Sequence, residues 1–210
     1  MTSSQDTTEF VVRSIAEEAL DNEKYFGELD SVVGDGDFGY SLARGFEVVL
    51  SGWDAVDRTD PGVFLSKIAI VITSTIGGTS GPLWGTAFLR AGAQLKGKAE
   101  ITSTDTIAAL RAAIEGIKHR GKSDVGDKTL LDALVPAVDA FEAAMDSGDD
   151  VKTALGKMAA TAREAAEATS LLQARRGRAS YTGERSIGSP DAGAIAIAVL
   201  AERLARAWPN

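Results

Sequence analysis

The segment Val63-Phe-Leu-Ser-Lys-Ile-Ala-Ile-Val-Ile-Thr-Ser-Thr-Ile76 decides between an all-helical fold and a fold that contains a sheet. It is the best strand candidate in the chain because β-branched residues, which favour strands, follow closely on one another at Ile68, Ile70, Val71 and Ile72. The apolar run is nevertheless much longer than an average strand of roughly five residues. Asp60-Pro61, just before it, is typical of a helix N-cap followed by proline at the first helical position. We therefore predict a buried helix.

Helical spacing of apolar residues extends from this segment in both directions. Towards the N-terminus it predicts a first helix that ends shortly before residue 30 and a second over residues 39–53. Towards the C-terminus it predicts helices over residues 82–95, 104–118, 129–145 and 151–174, and a last one that starts at Ser189-Pro190. About eight helices, no convincing sheet and no break in composition predict a single all-α domain over residues 1–210.

The composition excludes several classes of function. A formal net charge of −8 disfavours nucleic acid and anionic membranes as partners. A phosphate ligand stays compatible with this charge, because a bound divalent cation inverts the local field. The absence of cysteine excludes disulfides, zinc-thiolate sites and thiol nucleophiles. The polar N-terminus lacks the apolar core of a signal peptide, so a soluble, cytoplasmic protein is expected.

Four connections are long or rich in glycine and small polar residues, and this is where ligand sites are usually found. They comprise residues 34–39, 77–81, 121–129 and 175–193. Alternate loops of an up-and-down bundle share one end, and these loops follow the first, third, fifth and seventh predicted helices. We therefore expect all of them to meet at one end of the bundle and to form one composite site.

The first of these loops is acidic and reads Asp30-Ser-Val-Val-Gly34-Asp35-Gly-Asp37-Phe-Gly39. Its three carboxylates are the hard oxygen ligands that magnesium prefers, and the glycines allow a turn tight enough for them to converge. The alternative is a solvated acidic turn. Gly34 to Gly39 also matches the dinucleotide pattern G-x-G-x-x-G, but a helix and not a strand precedes it, and Asp35 and Asp37 occupy the place of the pyrophosphate.

A second misleading pattern is Gly116-Ile-Lys-His-Arg-Gly121-Lys-Ser123, which matches the P-loop formula. A P-loop links a buried strand to a helix, whereas a helical stripe precedes Gly116 and a further loop follows Ser123. The pattern is therefore rejected.

Two other segments favour an anionic ligand. Gly77-Gly-Thr79-Ser80-Gly-Pro82 opens a helix, where backbone amides and the helix dipole attract anions; the alternative is a plain helix cap. Four arginines cluster in the last loop, and arginine is suited to bidentate contacts with phosphate; the alternative is a solvated basic loop. These arginines are Arg175, Arg176, Arg178 and Arg185.

Four blocks in this order resemble the nucleotide-binding L subunits of the dihydroxyacetone kinase family. They are Gly34-Asp-Gly-Asp37, Gly77-Gly-Thr-Ser-Gly-Pro-Leu83, Gly126-Asp-Lys-Thr-Leu-Leu-Asp-Ala-Leu134 and Gly177-Arg-Ala-Ser-Tyr-Thr-Gly-Glu-Arg-Ser-Ile-Gly188. The resemblance implies an eight-helix antiparallel barrel with ATP or ADP bound at one end. It also implies phosphotransferase activity on an alcohol group.

The resemblance assigns roles to individual residues. It implies that Asp30, Asp35 and Asp37 bind Mg2+, as two ions that bridge the phosphates, and that Arg178 acts in catalysis. The nucleotide-binding positions that it implies are Phe38, Gly39, Tyr40, Ser41, Thr79, Ser80, Gly121, Leu130, Arg178, Asp191 and Gly193. Phe38 departs from the family pattern, which has histidine there, and leaves open a related ketose such as erythrulose.

The resemblance also implies partners. A separate K subunit would hold the ketose covalently, a phosphotransferase-system subunit is an alternative phosphoryl donor to free ATP, and a homodimer is compatible with the family. The rival hypotheses are a nucleotide-sensing partner of a transcription regulator and a helical scaffold, although a pure scaffold would not need the acidic glycine loop.

Overall fold

The structure is a computed structural model that describes residues 3–209, and within these residues it is all-helical with no strand. Nine α-helices are present in the described range: α1 Ser4–Asp21, α2 Glu23–Ser31, α3 Phe38–Ser51, α4 Pro61–Thr75, α5 Ser80–Leu95, α6 Ser103–Gly121, α7 Leu131–Asp146, α8 Val151–Ala168 and α9 Ala192–Ala207. Short 3-10 helices span Trp53–Ala55, Thr169–Leu171 and Arg178–Ser186. The predicted all-α class is confirmed.

The segment on which the fold class depends is the helix α4. The side chain of Asp60 accepts a hydrogen bond from the Val63 amide at 2.9 Å, and Pro61 is in the first turn. Ile68 and Ile72 are fully buried, whereas Ile70, which would share their face in a strand, is 61% exposed. The burial therefore follows the helical period.

The chain divides into two compact units. The first comprises the residues up to Leu20 and Ser41–Lys122. In it α5 packs against both α4 and α6. A Cβ on Gly62 would lie against the Gly92 carbonyl oxygen and the backbone of Lys96, so α4 and α5 pack too closely there for a side chain. The largest fully buried side chains of this unit are Val12, Leu42, Phe46, Val49, Phe64, Ile68 and Ile72.

The second unit comprises Asp21–Tyr40 and the residues from Ser123 onward. Here α8 packs against α7 and α9, and α2 and α7 also contact α9. Alanine lines much of α9, with Ala194, Ala196 and Ala198 fully buried, and its small side chain permits close helix packing. The largest fully buried side chains are Phe26, Leu131, Val138, Thr169 and Ile195.

Three element boundaries differ from the sequence prediction. The N-terminal helical stretch is divided at Asn22 into α1 and α2. The helix α8 ends at Ala168, because the Thr169 hydroxyl donates to the Ala166 carbonyl and the chain tightens into a 3-10 turn. The last helix begins after its N-cap Asp191 and not at Ser189-Pro190.

The predictions of a single domain and of four loops at one end of the bundle stay predictions. None of the helices in residues 3–209 is long and apolar enough to cross a membrane.

Candidate metal and nucleotide site

Three carboxylates of the second unit converge as the sequence predicts. Asp30 lies in the last turn of α2 and is half-buried, while Asp35 and Asp37 lie in the following turn and are exposed. One carboxylate oxygen of each lies within 4.8 Å of the corresponding oxygens of the other two. Three carboxylate oxygens this close together could hold Mg2+, which prefers hard oxygen ligands and keeps waters or phosphate oxygens in its remaining positions.

Glycine makes this convergence sterically feasible. The Gly34 amide donates to the Asp30 carbonyl at 2.6 Å and ends α2. A Cβ on Gly34 would lie 2.9 Å from the Asp30 carboxyl carbon, so any side chain there would displace the Asp30 carboxylate. Gly36 has a φ of +76°, in the left-handed region that glycine adopts without strain. The turn can therefore bring Asp35 and Asp37 back towards Asp30.

The start of α3 is fixed against α2 by packing. A Cβ on Gly39 would overlap the Glu23 carbonyl oxygen and lie 2.6 Å from the Gly27 amide nitrogen. The half-buried Phe38 places its ring 6.0 Å from the fully buried ring of Phe26. Phe38 is therefore a packing residue that anchors α3. The next residue, Tyr40, is 57% exposed.

Arg178 extends from the Arg178–Ser186 3-10 helix to the acidic cluster. Its Nη1 atom forms ion pairs with Asp35 and with Asp37, the latter at 3.2 Å. One guanidinium group thus offsets part of the charge of the cluster. The predicted catalytic residue and two of the predicted metal ligands lie together, although 141 positions separate Arg178 from Asp37 in the chain.

A further corner of the second unit contains Leu130, Asp191 and Gly193. Asp191 caps α9 by accepting from the Ala194 amide at 2.8 Å. A Cβ on Gly193 would lie 3.3 Å from the Cβ of the buried Leu130, which fixes α9 against the start of α7. Three of the predicted nucleotide-binding positions are therefore neighbours.

The carboxyl of Asp191 has an unusual pKa. Burial raises the pKa of Asp191 from its ordinary value of 3.8 to about 7. The hydrogen bond from the Ala194 amide opposes this rise, the Asp132 and Asp30 carboxylates add to it, and the Lys128 ammonium lowers the pKa. This group therefore titrates near neutral pH, beside the acidic cluster.

Sequence reasoning missed two buried charges in the turn that precedes α7. The Asp132 carboxylate accepts from the Gly126 amide at 2.5 Å and from the Thr129 amide at 2.7 Å. Lys128 is 2% exposed and donates to the carbonyl groups of Leu172, Ser186 and Ser189. Both residues lie in a quoted motif, but their partners are local amides or residues 44 to 61 positions away, for which a sequence holds no signal.

Two arginines of the predicted arginine cluster form ion pairs with different carboxylates. Arg176 pairs through Nε with the Asp127 carboxylate at 3.1 Å, and the Arg175 amide donates to the Asp127 carbonyl at 3.0 Å. Arg178 is the arginine that reaches the acidic cluster. The loop that carries them is also more regular than predicted, because Arg178–Ser186 is a 3-10 helix with a kink at Gly183.

The other predicted positions lie in the first unit. The exposed Thr79 is the N-cap of α5 and the half-buried Ser80 is its first residue. Ser41 is in the first turn of α3, and Gly121 is the last residue of α6. Gly116 lies inside α6, so the helix runs through the P-loop pattern and confirms its rejection. The helix α2 before Gly34 likewise confirms the rejection of the dinucleotide pattern.

The model of the DAK2 domain matches residues 32–206 of the sequence. This chain belongs to the DAK2 domain family. The matched range covers the acidic cluster from Asp35 onward, Arg178 and Asp191.

Curated relatives of the chain confirm the resemblance to kinase L subunits. The chain is 37% identical over 184 residues to the ADP-binding subunit DhaL of the PEP-dependent dihydroxyacetone kinase of Escherichia coli (strain K12), covering 88% of each. It is 37% identical over 196 residues to the L-erythrulose 1-kinase of Mycolicibacterium smegmatis, covering 92% of this chain and 34% of that enzyme. Both relatives are kinases by name, as the predicted phosphotransferase class requires.

A solved structure shares the fold. The crystal structure of the dihydroxyacetone kinase from C. freundii in complex with AMP-PNP and Mg2+ matches with a TM-score of 0.76 at 26% identity. The match covers 98% of this chain and 34% of the kinase chain, so this chain spans about a third of that protein.

Proposed function

We propose that this chain is the magnesium- and nucleotide-binding subunit of a small-ketose kinase. In this function it delivers the γ-phosphoryl group of ATP to a ketose held on a separate K subunit. The convergence of Asp30, Asp35 and Asp37 within 4.8 Å, with Arg178 beside them, is the observation that carries the proposal. Phosphoryl transfer depends on positioning and on charge neutralisation, and these groups are suited to both.

The acidic cluster would hold two Mg2+ ions through Asp30, Asp35 and Asp37. Bound magnesium would neutralise charge on the phosphate oxygens. Arg178 is long, always charged and 56% exposed in its side chain, so it can exchange its carboxylate partners for phosphate oxygens. We therefore assign Arg178 to stabilisation of the transferring phosphoryl group.

The nucleotide itself would lie along positions that the family resemblance implies. In the second unit these are Phe38, Gly39, Tyr40, Leu130, Asp191 and Gly193, and the packing of Gly39 and Gly193 gives both a structural role as well. For Ser41, Thr79, Ser80 and Gly121 of the first unit, nucleotide contact stays a prediction. Thr79 and Ser80 stand at a helix N-terminus, where backbone amides favour phosphate.

A partner that carries the ketose completes the reaction. The ketose hydroxyl would give up its proton, and its oxygen would bond to the γ-phosphorus. The bond from that phosphorus to the β–γ bridging oxygen would break, and ADP would remain. Tyr181, three residues after Arg178, is 90% exposed, and Leu171, seven residues before it, is 79% exposed. Large apolar side chains of this kind favour contact with another protein.

The source of the phosphoryl group defines two routes to test, and the identity of the ketose is a separate question. In one route ATP exchanges at each turnover. In the other, bound ADP is rephosphorylated by a phosphotransferase-system subunit. The name of the Escherichia coli relative, an ADP-binding subunit of a PEP-dependent kinase, is compatible with the second route. Dihydroxyacetone and erythrulose are both candidate acceptors, because relatives are named for each.

The decisive experiment is a coupled assay of the purified chain with a K-type subunit. Dihydroxyacetone and erythrulose are supplied in turn, with either ATP or the phosphotransferase-system proteins and their phosphoryl donor. We expect phosphorylation of at least one ketose, and release of ADP from the chain distinguishes the two routes. Nucleotide binding without transfer in any combination would favour a nucleotide-sensing partner, and no nucleotide binding at all would contradict both functions.

A further inference from the structure

Lys128 is a buried lysine whose ammonium group is saturated by backbone carbonyls. It is 2% exposed, and its φ of +62° is rare for a residue with a side chain. Its Nζ atom donates to the carbonyls of Leu172 at 3.1 Å, of Ser189 at 2.7 Å and of Ser186. An ammonium group has three N–H bonds, so all of them are used.

These carbonyls belong to one segment, residues 172–189, which we name the late loop. Leu172 and Ser189 are its two ends, and both bind the same ammonium group. Inside the loop the Ser186 hydroxyl accepts from the Ala174 amide at 2.9 Å and donates to the Gly183 carbonyl at 2.6 Å. Lys128 therefore closes the loop at its base, while Arg178 lies within it.

Lys128 is itself held by a rigid turn. Asp132, in the first turn of α7, accepts from the amides of Gly126 and Thr129 on either side of the lysine. The neighbouring Asp127 receives the Arg175 amide and the Arg176 guanidinium of the late loop. The turn thus contacts the loop at its ends and just before Arg178.

The saturation of Lys128 excludes a direct role in ligand binding. In the sequence, a lysine after Gly126-Asp127 could serve as a phosphate contact. The structure leaves it neither solvent access nor a free N–H bond. A buried charge with all its hydrogen bonds made instead holds its neighbours in a single arrangement.

We propose that Lys128 is a positioning residue: its ammonium group closes the late loop and thereby holds Arg178 at Asp35 and Asp37. The consequence for nucleotide binding rests on the proposed function, whereas the closure of the loop does not. Two measurements separate these parts.

The first measurement follows trypsin cleavage in the late loop without nucleotide, because four arginines there are cleavage sites. In Lys128→Met, which keeps the length of the side chain but removes the charge, cleavage between residues 175 and 185 should be at least about tenfold faster than in the wild type. Lys67→Met removes an exposed lysine from α4 and should leave the rate unchanged. Equal rates for wild type and Lys128→Met would overturn the proposal.

The second measurement is a double-mutant cycle on Mg-ADP affinity. Lys128→Met and Arg178→Ala should each weaken binding by about tenfold, and the double variant should be no more than about twofold weaker than Arg178→Ala alone. This result requires that Lys128 act through Arg178. Losses that multiply in the double variant would show an independent effect and overturn the proposal.

A second variant keeps the test decisive if Lys128→Met does not fold. In Lys128→Arg the charge remains, but the planar guanidinium cannot direct its donors at three carbonyls as an ammonium group does. The resistance of the late loop to trypsin and the affinity for Mg-ADP should then both decrease. Faster cleavage with unchanged affinity would overturn the proposal. If the wild type binds no Mg-ADP, the proposed function fails while the cleavage rates still decide the closure of the loop.

Discussion

Asp35 and Asp37 are exposed carboxylates that are held close together by a glycine turn and partly balanced by Arg178. Each side chain contributes little to folding, because exposed ion pairs stabilise a protein by only about 0–1 kcal/mol. Their proximity has a cost in repulsion that a divalent cation would remove. Asp35 and Asp37 therefore contribute little to the stability of the fold, and their expected contribution is to cation binding.

Substitution of either carboxylate should therefore strongly weaken metal-dependent binding and leave the fold intact. We expect Asp35→Asn and Asp37→Asn each to weaken Mg-dependent ADP binding by about 100-fold, or about 2.7 kcal/mol. Ketose phosphorylation should be lost and the melting temperature nearly unchanged. Isothermal titration calorimetry and circular dichroism would measure the two effects. Asp54→Asn, an exposed aspartate in the first unit, is the matched control. Wild-type activity in both variants would exclude the cluster as the metal site.

Asp191 predicts a pH dependence of stability. Its pKa is about 7 in the folded state and near 3.8 in the unfolded state, so between these values the folded state binds more protons. The contribution of Asp191 to stability is therefore fully present below about pH 4 and is lost as pH rises through about 7.

Removal of this titration should be visible in urea unfolding. Asp191→Asn keeps a side chain that caps helices well, so the difference from wild type should reflect the charge. The variant should gain stability relative to wild type between about pH 5 and about pH 8, by on the order of 2 kcal/mol. Asp150, the exposed N-cap of α8, is the control, and hydrogen bonds from Thr153 lower its pKa. The difference in unfolding free energy between Asp150→Asn and wild type should therefore change with pH only under acidic conditions. A difference for Asp191→Asn that does not vary with pH would contradict the raised pKa.

At the scale of elements, the contact between α2 and α3 determines the geometry of the acidic turn. Gly39 lies against the backbone of α2, and Phe38 packs on Phe26. The turn between the helices has little freedom, because both of its ends are fixed by packing. The aromatic ring at position 38 thus anchors the start of α3.

Two glycine substitutions test this contact. Gly39→Ala would force a Cβ into the Glu23 carbonyl, so we expect a loss of about 2–3 kcal/mol in unfolding free energy and weaker Mg-ADP binding. Gly156 is an exposed residue inside α8 with open space at its Cβ position. Gly156→Ala should therefore stabilise the protein by about 0.5–1 kcal/mol and leave binding unchanged. Thermal and chemical denaturation would measure both, and a neutral Gly39→Ala would refute the close contact.

At the scale of the whole molecule, a ligand that binds only the folded protein stabilises it by mass action. At a Mg-ADP concentration about 100 times the Kd, the expected gain is about 2.7 kcal/mol. Differential scanning fluorimetry should show a higher melting temperature with Mg2+ and ADP together and a much smaller shift with ADP and a chelator. Asp35→Asn should abolish the difference between these conditions. The absence of any shift in the wild type would contradict the proposed function.

The sequence was sufficient to predict the helical class and the acidic turn, because both depend on local patterns of residues. The segment 63–76 has the length and the capping residues of a helix, and the burial of Ile68 and Ile72 with Ile70 exposed confirms it. The approach of Asp30, Asp35 and Asp37 follows from glycines a few positions away. The family blocks are also local signals, and their order along the chain was readable without a structure.

Only the tertiary structure decided which distant groups meet. Arg178 pairs with Asp35 and Asp37, whereas Arg176 pairs with Asp127, although the two arginines are only two positions apart. Lys128 contacts carbonyls up to 61 positions away, and Asp191 owes its raised pKa to burial among groups from other helices. Such contacts arise from packing of whole elements, for which residue types and spacing carry no information. The sequence by itself determined the helices and the acidic turn, and the packing determined which charged groups surround that turn.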